Sequence, residues 1–530
     1  MPTEGSPAAS SNGFDPARAR AALIVLAVIA VMVTYVETMI IPGFETFRNF
    51  FNSPPISTVT WILTAYLVVG VVATPIVGKL GDIYGKKRVL TGVLVIYAIA
   101  VTVAGFTPNI GDFFGVPRES QIYLLIGVRA VQGIGVGMFP LAFAMIGEEF
   151  PRNAVAQAQG IVSAMFAVGA AVGLAGGAAI TQALGWQATY HTVIPVAVGA
   201  LLASIYVLRE SRVRLHEPLD YPGAAFLGGA LAFFLIGLTQ APDWGWGNIY
   251  GASVDGFPLG APILFTFAGV LAVAFIVREL RTSRPIVEFS KMRERNIWVS
   301  NAIALFAGTA MFMFFVGLVI LAELPTALIG LGLTAVTFGL LSLPATTGNM
   351  VTAPLVGRWI GRSGPKPAML LGPVLVIAGG LALTFFNREW YELTLAAIPL
   401  MLGTVMMFIG MTNTVVTSSR PTEVGVQTGM NQTFRNLGTA IGPALATTIL
   451  ASFTTYYTIM TPGGPVLAGP SPTLAAFQYV FIGIAAAGMV MFALATLIRN
   501  YRFDAAGNRI SLARGERTPA APSLPAADPQ

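Results

Sequence analysis

Apolar residues gather in runs of about twenty along nearly the whole chain, separated by short polar stretches. The runs fall at about 21–40, 58–78, 89–107, 121–142, 158–181, 188–208, 222–241 and 260–278. After a charged stretch they resume at about 297–320, 335–357, 367–386, 393–416, 424–452 and 474–498. About 20 apolar residues in an α-helix cross the hydrocarbon layer of a bilayer. The pattern therefore predicts an all-α polytopic membrane protein of fourteen spans. The first run lacks a small-residue cleavage site and predicts a retained helix, not a removed signal peptide.

Composition supports that class. Of 530 residues, 55% are hydrophobic and only 10% charged, where soluble domains carry about 25% charge; an ordinary soluble enzyme is excluded. With no cysteine and two histidines, no disulfide framework, thiol nucleophile or metal site is expected, nor any other cofactor. The formal net charge of +6 sits in loops, so it predicts a lipid bilayer as partner and not nucleic acid. Apart from Arg48, Arg118 and Arg388 on the other side, and Arg129 and Arg435 within helices, every Lys and Arg falls in the tails or in alternate loops. That bias predicts both termini in the cytoplasm.

A weak repeat runs through the chain. Gly78 and Gly85 bracket a basic loop after the second predicted helix, Gly357 and Gly364 bracket another after the tenth, and Pro151 and Gln157 recur as Pro421 and Gln427. The pattern predicts a disordered N-tail (1–20), a six-helix bundle (21–208), two linker helices with their loops (209–296), a second six-helix bundle (297–498) and a disordered C-tail (499–530), as in transporters built from repeated halves.

Few residues offer chemistry inside the apolar runs. Glu37, in VTYVETMIIP, is the one acid well inside a helix. A carboxyl group holds its proton more readily in an apolar interior and less readily beside an arginine, so one on a cavity could load and release protons. Near the outer interface it would only support structure. Arg129, Gln132, Gly133 and Val136 share a face of the fourth helix, with Gly137 beside it. A buried Arg is costly, and it either bonds neighbouring helices or serves transport. Gln427, Asn431, Arg435, Gly438 and Gly442 form a polar and small stripe that lines a cavity or grips another helix. Met406, Met407, Gly410, Asn413 and Thr417 are packing residues or an adaptable ligand surface. His191 is a proton relay or a hydrogen-bonded structural residue. Gly169, Gly173, Gly176 and Gly177 offer a face for close helix packing, and Trp244 and Trp246 are expected as interface anchors. HExxH, a phosphate-binding loop and paired intramembrane carboxylates are all missing, which argues against a membrane enzyme.

The string GKLGDIYGKKR, Gly78 to Arg88, is by its residues either a topogenic basic loop or a tight device on one membrane face. It resembles the signature loop of the major facilitator superfamily. Fourteen runs, with LGWQATYHTVIP, LDYPGA and LTQAPDWGW, resemble that family's drug:proton antiporter branch over about Ala21 to Arg499. The resemblance implies the major facilitator fold in the plasma membrane, with two extra central helices. It also implies a cytoplasmic latch of Asp82, Lys86 and Arg88 packed through Gly78 and Gly85, and a role in proton transfer for Arg129. Glu37 stands where the branch has an Asp, with a shorter spacing to Pro42. Gly173 stands where the family's antiporter motif has a proline, which weakens the case for export, while Gly442-Pro443 occurs in the other half. The expected function is a secondary active transporter driven by a proton gradient, exporting amphipathic organic compounds or drugs by alternating access. Glu37 and Arg129 would couple protons, and Gln132, Asn413, Asn431, Arg435 and His191 would line the substrate cavity. The alternative is a transporter of one endogenous metabolite, with import as an open direction. Glu37 would favour cationic substrates, and the two arginines anionic ones.

Overall fold

The computed structural model describes residues 15–52, 54, 56–150, 152–211, 220–247, 260–282, 285, 294–419, 424–461, 464–503 and 509–511. Seventeen α-helices occur in them: α1 (Pro16–Thr38), α2 (Phe44–Phe50), α3 (Ile56–Tyr84), α4 (Lys86–Gly105), α5 (Thr107–Phe113), α6 (Arg118–Gly133), α7 (Met138–Glu149), α8 (Arg152–Leu184), α9 (Trp186–Val207), α10 (Tyr221–Trp244), α11 (Ala261–Arg281), α12 (Arg295–Glu323), α13 (Ala335–Ser363), α14 (Lys366–Phe385), α15 (Trp390–Ser418), α16 (Val424–Ser452) and α17 (Leu474–Thr496). Residues 1–14 and 512–530, most of the two predicted tails, lie outside the described residues, as do Pro151 and Pro421.

Each of the fourteen apolar runs coincides with helix. Among the described residues eleven helical stretches are long and apolar enough to cross a membrane; α8, α13 and α16 are not among them. Local chemistry sets the helix ends. Asp15 accepts hydrogen bonds from the amides of Ala17 and Arg18 at the start of α1. Asp220, Thr334 and Thr473 cap α10, α13 and α17 in the same way, satisfying amides that have no partner in the first turn.

The fourth run is not one helix. Between α6 and α7 the chain tightens into a 3-10 turn, Ile134–Gly137. Gly133 lies against the Tyr66 carbonyl, Gly135 against the Tyr97 ring and Gly137 against Val77. Three glycines in five residues bring this backbone onto α3 and α4, and their low helix propensity permits the local change of winding. A second feature without helical periodicity is the antiparallel hairpin of β1 (Thr454–Thr461) and β2 (Gly464–Pro472), which pairs Thr454 with Pro472 and slips register between Tyr456 and Thr458. A third is the small hairpin of β3 (Tyr501–Phe503) and β4 (Arg509–Ser511), which follows α17 and touches α13 and α15. Trp246 is half exposed, whereas Trp244 is buried.

Helices pack in two groups. In the first, α1 lies on α8 and α9, α3 on α6, and α4 on α6 and α9. In the second, α12 lies on α15, α16 and α17, α14 on α15 and α17, and α13 on α15. The groups meet where α3 crosses α16 and α8 crosses α13. The pair α10 and α11 packs together, and α10 touches both α3 and α16; Thr448 Oγ1 donates to the Leu238 carbonyl at 2.8 Å.

Glycines set the closest approaches. Gly169, Gly173 and Gly177 of α8 face Val31, Tyr35 and Met39 of α1, while Gly176 has only ordinary contacts. In the second group, Gly308 of α12 and Gly438 and Gly442 of α16 lie backbone to backbone. A methyl on Gly438 would sit 2.9 Å from the Thr309 nitrogen and closer still to the Leu305 carbonyl, whereas one on Gly429 would meet nothing within 4 Å. Gly438→Ala is therefore expected to destabilise the purified protein by about 1–3 kcal/mol, and Gly429→Ala to be neutral or stabilising by up to about 1 kcal/mol. Thermal unfolding of both variants in detergent checks this.

Candidate functional site

Two polar assemblies stand out, one at the end of the molecule where α1 begins and α17 ends, the other between helices deep in the fold. At the terminal end, the turn from α3 to α4 passes through Gly85, whose φ of +106° suits glycine. Lys86, 7% exposed, is held between two acids and a hydroxyl: Asp82 at 3.4 Å, Glu148 at the end of α7, and Ser211 Oγ at 3.4 Å. Ser211 itself donates to Glu148 at 2.9 Å. Glu210 accepts from the amides of Lys87 and Arg88 at 3.2 Å each, so its charge sits on the N-terminus of α4. Arg88 lies 3.7 Å from the same carboxylate but is 70% exposed. Gly78 makes only loose contact with Pro140. The structure thus brings Asp82, Gly85, Lys86 and Arg88 together and adds Glu148, Glu210 and Ser211. These three lie just beyond the ends of the fourth and sixth apolar runs, where acids facing a basic loop were the available signal.

The second helical group repeats this arrangement without the acid. Gly364 has φ +76°, and Asn500, four residues past α17, takes the place of Glu210. Its Oδ1 accepts from the Lys366 amide at 3.2 Å and its Nδ2 donates to the Ser363 carbonyl at 2.8 Å. Lys366 Nζ reaches the Thr496 carbonyl at 3.0 Å, as Lys87 Nζ reaches that of Ile205 at 2.6 Å. In both halves a lysine two residues after the glycine ties the last helix of its group to the loop.

Deep in the fold, Arg129 is fully buried. Its Nε donates to the Ile62 carbonyl at 3.0 Å, a terminal nitrogen donates to Gln132 Oε1 at 2.6 Å, and its guanidinium lies 4.3 Å from the Tyr66 ring centroid. Glu37 on α1 is partly exposed, and its charge lies within the influence of Arg435 and Arg129. Arg435 lies on α16 in the other group, partly exposed, its guanidinium 4.9 Å over the Phe408 ring. Glu37 thus faces charge on both sides of the boundary between the groups.

The other candidates are dispersed. Asn431 is buried and donates to the Ser300 carbonyl and Asn301 Oδ1 of α12. Asn413 is partly exposed, its Nδ2 bonded to the Ile409 carbonyl of its own helix. His191 packs against Gly105 and lies tilted against the Phe106 ring, centroids 4.6 Å apart. Pro443 sits within α16, and its carbonyl accepts from Thr447 Oγ1 at 2.8 Å. The side chain of Gln157 lies outside the described residues. Among the described residues no group of three His, Asp or Glu could hold a metal.

Comparison with known proteins agrees with this architecture. The chain is 28% identical over 406 residues to the tetracenomycin C resistance and export protein of Streptomyces glaucescens, covering 75% of this chain and 70% of that one. It is 27% identical to the multidrug transporter protein MdtP of Bacillus subtilis, over 73% of this chain and 67% of that one. It is 26% identical to the multidrug efflux pump LfrA of Mycolicibacterium smegmatis, over 85% and 84%. The crystal structure of the human organic anion transporter MFSD10 superposes with a TM-score of 0.58 at 16% identity, covering 91% of this chain and all of that one, a likeness of fold. The family model of the Major Facilitator Superfamily matches residues 26–443, and again 305–523. The chain belongs to the Major Facilitator Superfamily and is a multi-pass membrane transporter, not an enzyme.

Proposed function

We propose that the chain is a proton-coupled exporter of amphipathic organic compounds, of the fourteen-helix drug:proton antiporter branch, working in the plasma membrane with both termini in the cytoplasm. Residues 21–208 and 297–498 are its two six-helix bundles, and the helices within 209–296 link them. In this reading α8, α13 and α16 complete the fourteen spans. Each packs at the boundary between the groups, and the polar and small residues of α13 and α16 suit helices that line an aqueous path.

One arrangement supports the proposal: a partly exposed carboxylate of the first group, Glu37, and a partly exposed guanidinium of the second, Arg435, lie near enough for their charges to interact, with Arg129 fully buried in the first group. Attraction between unit charges is strong where water is scarce. Ionised Glu37 draws the groups together, and a proton on it releases them. Substrate and proton would then occupy the space beside Glu37, Arg435 and Asn413 in alternation. Gln132, Asn431 and His191 would support its walls, and Asp82, Lys86 and Arg88 would fasten the cytoplasmic side when it closes. At the opposite end, the 3-10 turn Ile41–Gly43 and α2 touch α12, and Gly339 rests on Leu174, Ala175 and Ala178. These contacts at one end support an inward-open arrangement. One proton crossing a 100 mV potential supplies about 2.3 kcal/mol, enough to concentrate a neutral solute roughly fiftyfold. The names of the relatives, one an antibiotic export protein and one a multidrug efflux pump, support the outward direction.

In proteoliposomes under an imposed pH gradient, a lipophilic cationic dye and a panel of neutral and anionic amphiphiles are expected to be driven out by the wild type, and Glu37→Gln to lose gradient-driven transport. Equal transport by the variant would move coupling elsewhere. If the wild type moves none of the panel, the drug-export reading fails, and a screen of metabolites tests the single-substrate importer. Removal of the latch cation, Lys86→Met, leaves two acids facing each other and is expected to cost more than about 2 kcal/mol of stability. Arg88→Ala, on an exposed side chain, should cost under about 1 kcal/mol. Thermal unfolding of the two purified variants separates them.

A further inference from the structure

Two seams separate the helical groups, one where α3 crosses α16 and one where α8 crosses α13, and they meet their surroundings differently. From Thr58 to Leu80 of α3 and from Gln427 to Ala451 of α16, no described residue is exposed. Along the other seam, Ile161 and Val172 of α8 and Leu340, Val351 and Leu355 of α13 are apolar side chains 40–63% exposed.

The linker pair makes the difference. α10 packs on both α3 and α16, and α11 packs on α10. In its first half α10 meets α3, where a methyl on Gly228 would sit 3.4 Å from Val72. In its second half the Leu238 carbonyl accepts from Thr448 of α16, so α10 crosses the seam obliquely. Small residues also join the pair: a methyl on Gly229 would lie 2.9 Å from Leu271 of α11, and one on Gly237 3.2 Å from Leu264. At the terminal end, Asp220, its side chain 1% exposed, caps α10 through the Gly223 amide and accepts from Arg278 of α11 at 3.1 Å. Beyond this clamp, Phe267, Val270, Val273, Ile276 and Leu280 of α11 are exposed, a face suited to hydrocarbon. Among the described residues no helix packs on both α8 and α13 as α10 does on α3 and α16.

Amphipathic molecules settle in a bilayer with their apolar parts in hydrocarbon, so a transporter of such molecules meets them at its lipid-facing seams. We propose that the linker pair makes this exchange one-sided: α10 and α11 close the α3–α16 seam to lipid, and amphipathic molecules dissolved in the membrane reach the space between the groups through the α8–α13 seam. The proposal rests on the reading of the chain as an exporter of amphipathic compounds. Because α10 holds to both groups, its seam stays covered as they rock against each other.

The first test uses the full wild-type chain in proteoliposomes containing a phospholipid with a diazirine at the end of one acyl chain. After irradiation, mass spectrometry is expected to find adducts on α11, α8 and α13 and none around Val72 of α3 or Thr448 of α16. Labelling there at the level of α8 and α13 would overturn the proposal. The second test places the same bulk on each seam. Leu355→Trp on α13 is expected to slow efflux of a lipophilic cationic dye severalfold at low dye loading and little at saturation, whereas Val273→Trp on α11 matches the wild type. Equal slowing by both variants, or by neither, would also overturn it. A wild type that moves no dye fails the exporter reading instead, and the lipid map, which needs no variant, still decides whether the α3–α16 seam is closed.

Discussion

Arg129 carries a charge that water does not reach, and much of the first helical group is arranged around that fact. A guanidinium in a low-dielectric interior must find acceptors in its own protein. Here a helix carbonyl, a carboxamide oxygen and an aromatic face supply part of them. The carbonyl belongs to Ile62 of α3, and its hydrogen bond draws that helix onto α6. The glycines at 133, 135 and 137 then let the two backbones close upon each other. The break between α6 and α7 follows from the same crowding. Costly burial and close packing are two sides of one arrangement, since lipid tails give apolar side chains no reason to prefer each other over the bilayer.

The second group is held differently. Its central pair, α12 and α16, has no fully buried cation; glycines let the backbones touch, and a buried network of Asn301, Asn431 and Ser300 joins the lower turns. Arg435 faces the boundary instead of the interior of its bundle. The two halves share a topology, with the α1–α8 and α12–α16 pairs both locked through small residues, yet they place charge in opposite directions. One arginine is fully buried in its group and the other partly exposed, and Glu37 lies within the influence of both.

Long-range architecture was legible because apolar periodicity on the scale of a bilayer is a strong signal: every run of about twenty residues became helix. Irregular features were not legible. The 3-10 turn at Ile134–Gly137 lies inside an apolar run, where composition is the same whether the winding is 3.6 or 3 residues per turn. The β1–β2 hairpin, with its Thr, Gly and Pro residues, carries no signal of bilayer length. Around the terminal-end loop, Asp82, Lys86 and Arg88 were visible as a motif in one string. Glu148 and Glu210 lie far from it in sequence, and only the return of α7 and α9 to the same end brings them into contact, as the return of α17 brings Asn500 to the corresponding loop of the second group. Glu37 and Arg435 stood out singly as rare intramembrane charges, but their mutual attraction depends on how α1 and α16 are rotated, which periodicity does not encode.

Glu210 and Asn500 occupy equivalent places at the ends of the two halves, each closing the first turn of a following helix beside a glycine of positive φ. Their geometry is shared but their chemistry is not. A carboxylate fastening is weakened by salt, which screens it. An amide fastening is indifferent to it. The molecule is therefore hinged with one clasp that senses the composition of the surrounding water and one that does not, so a change in ionic conditions at that face would loosen the halves unequally.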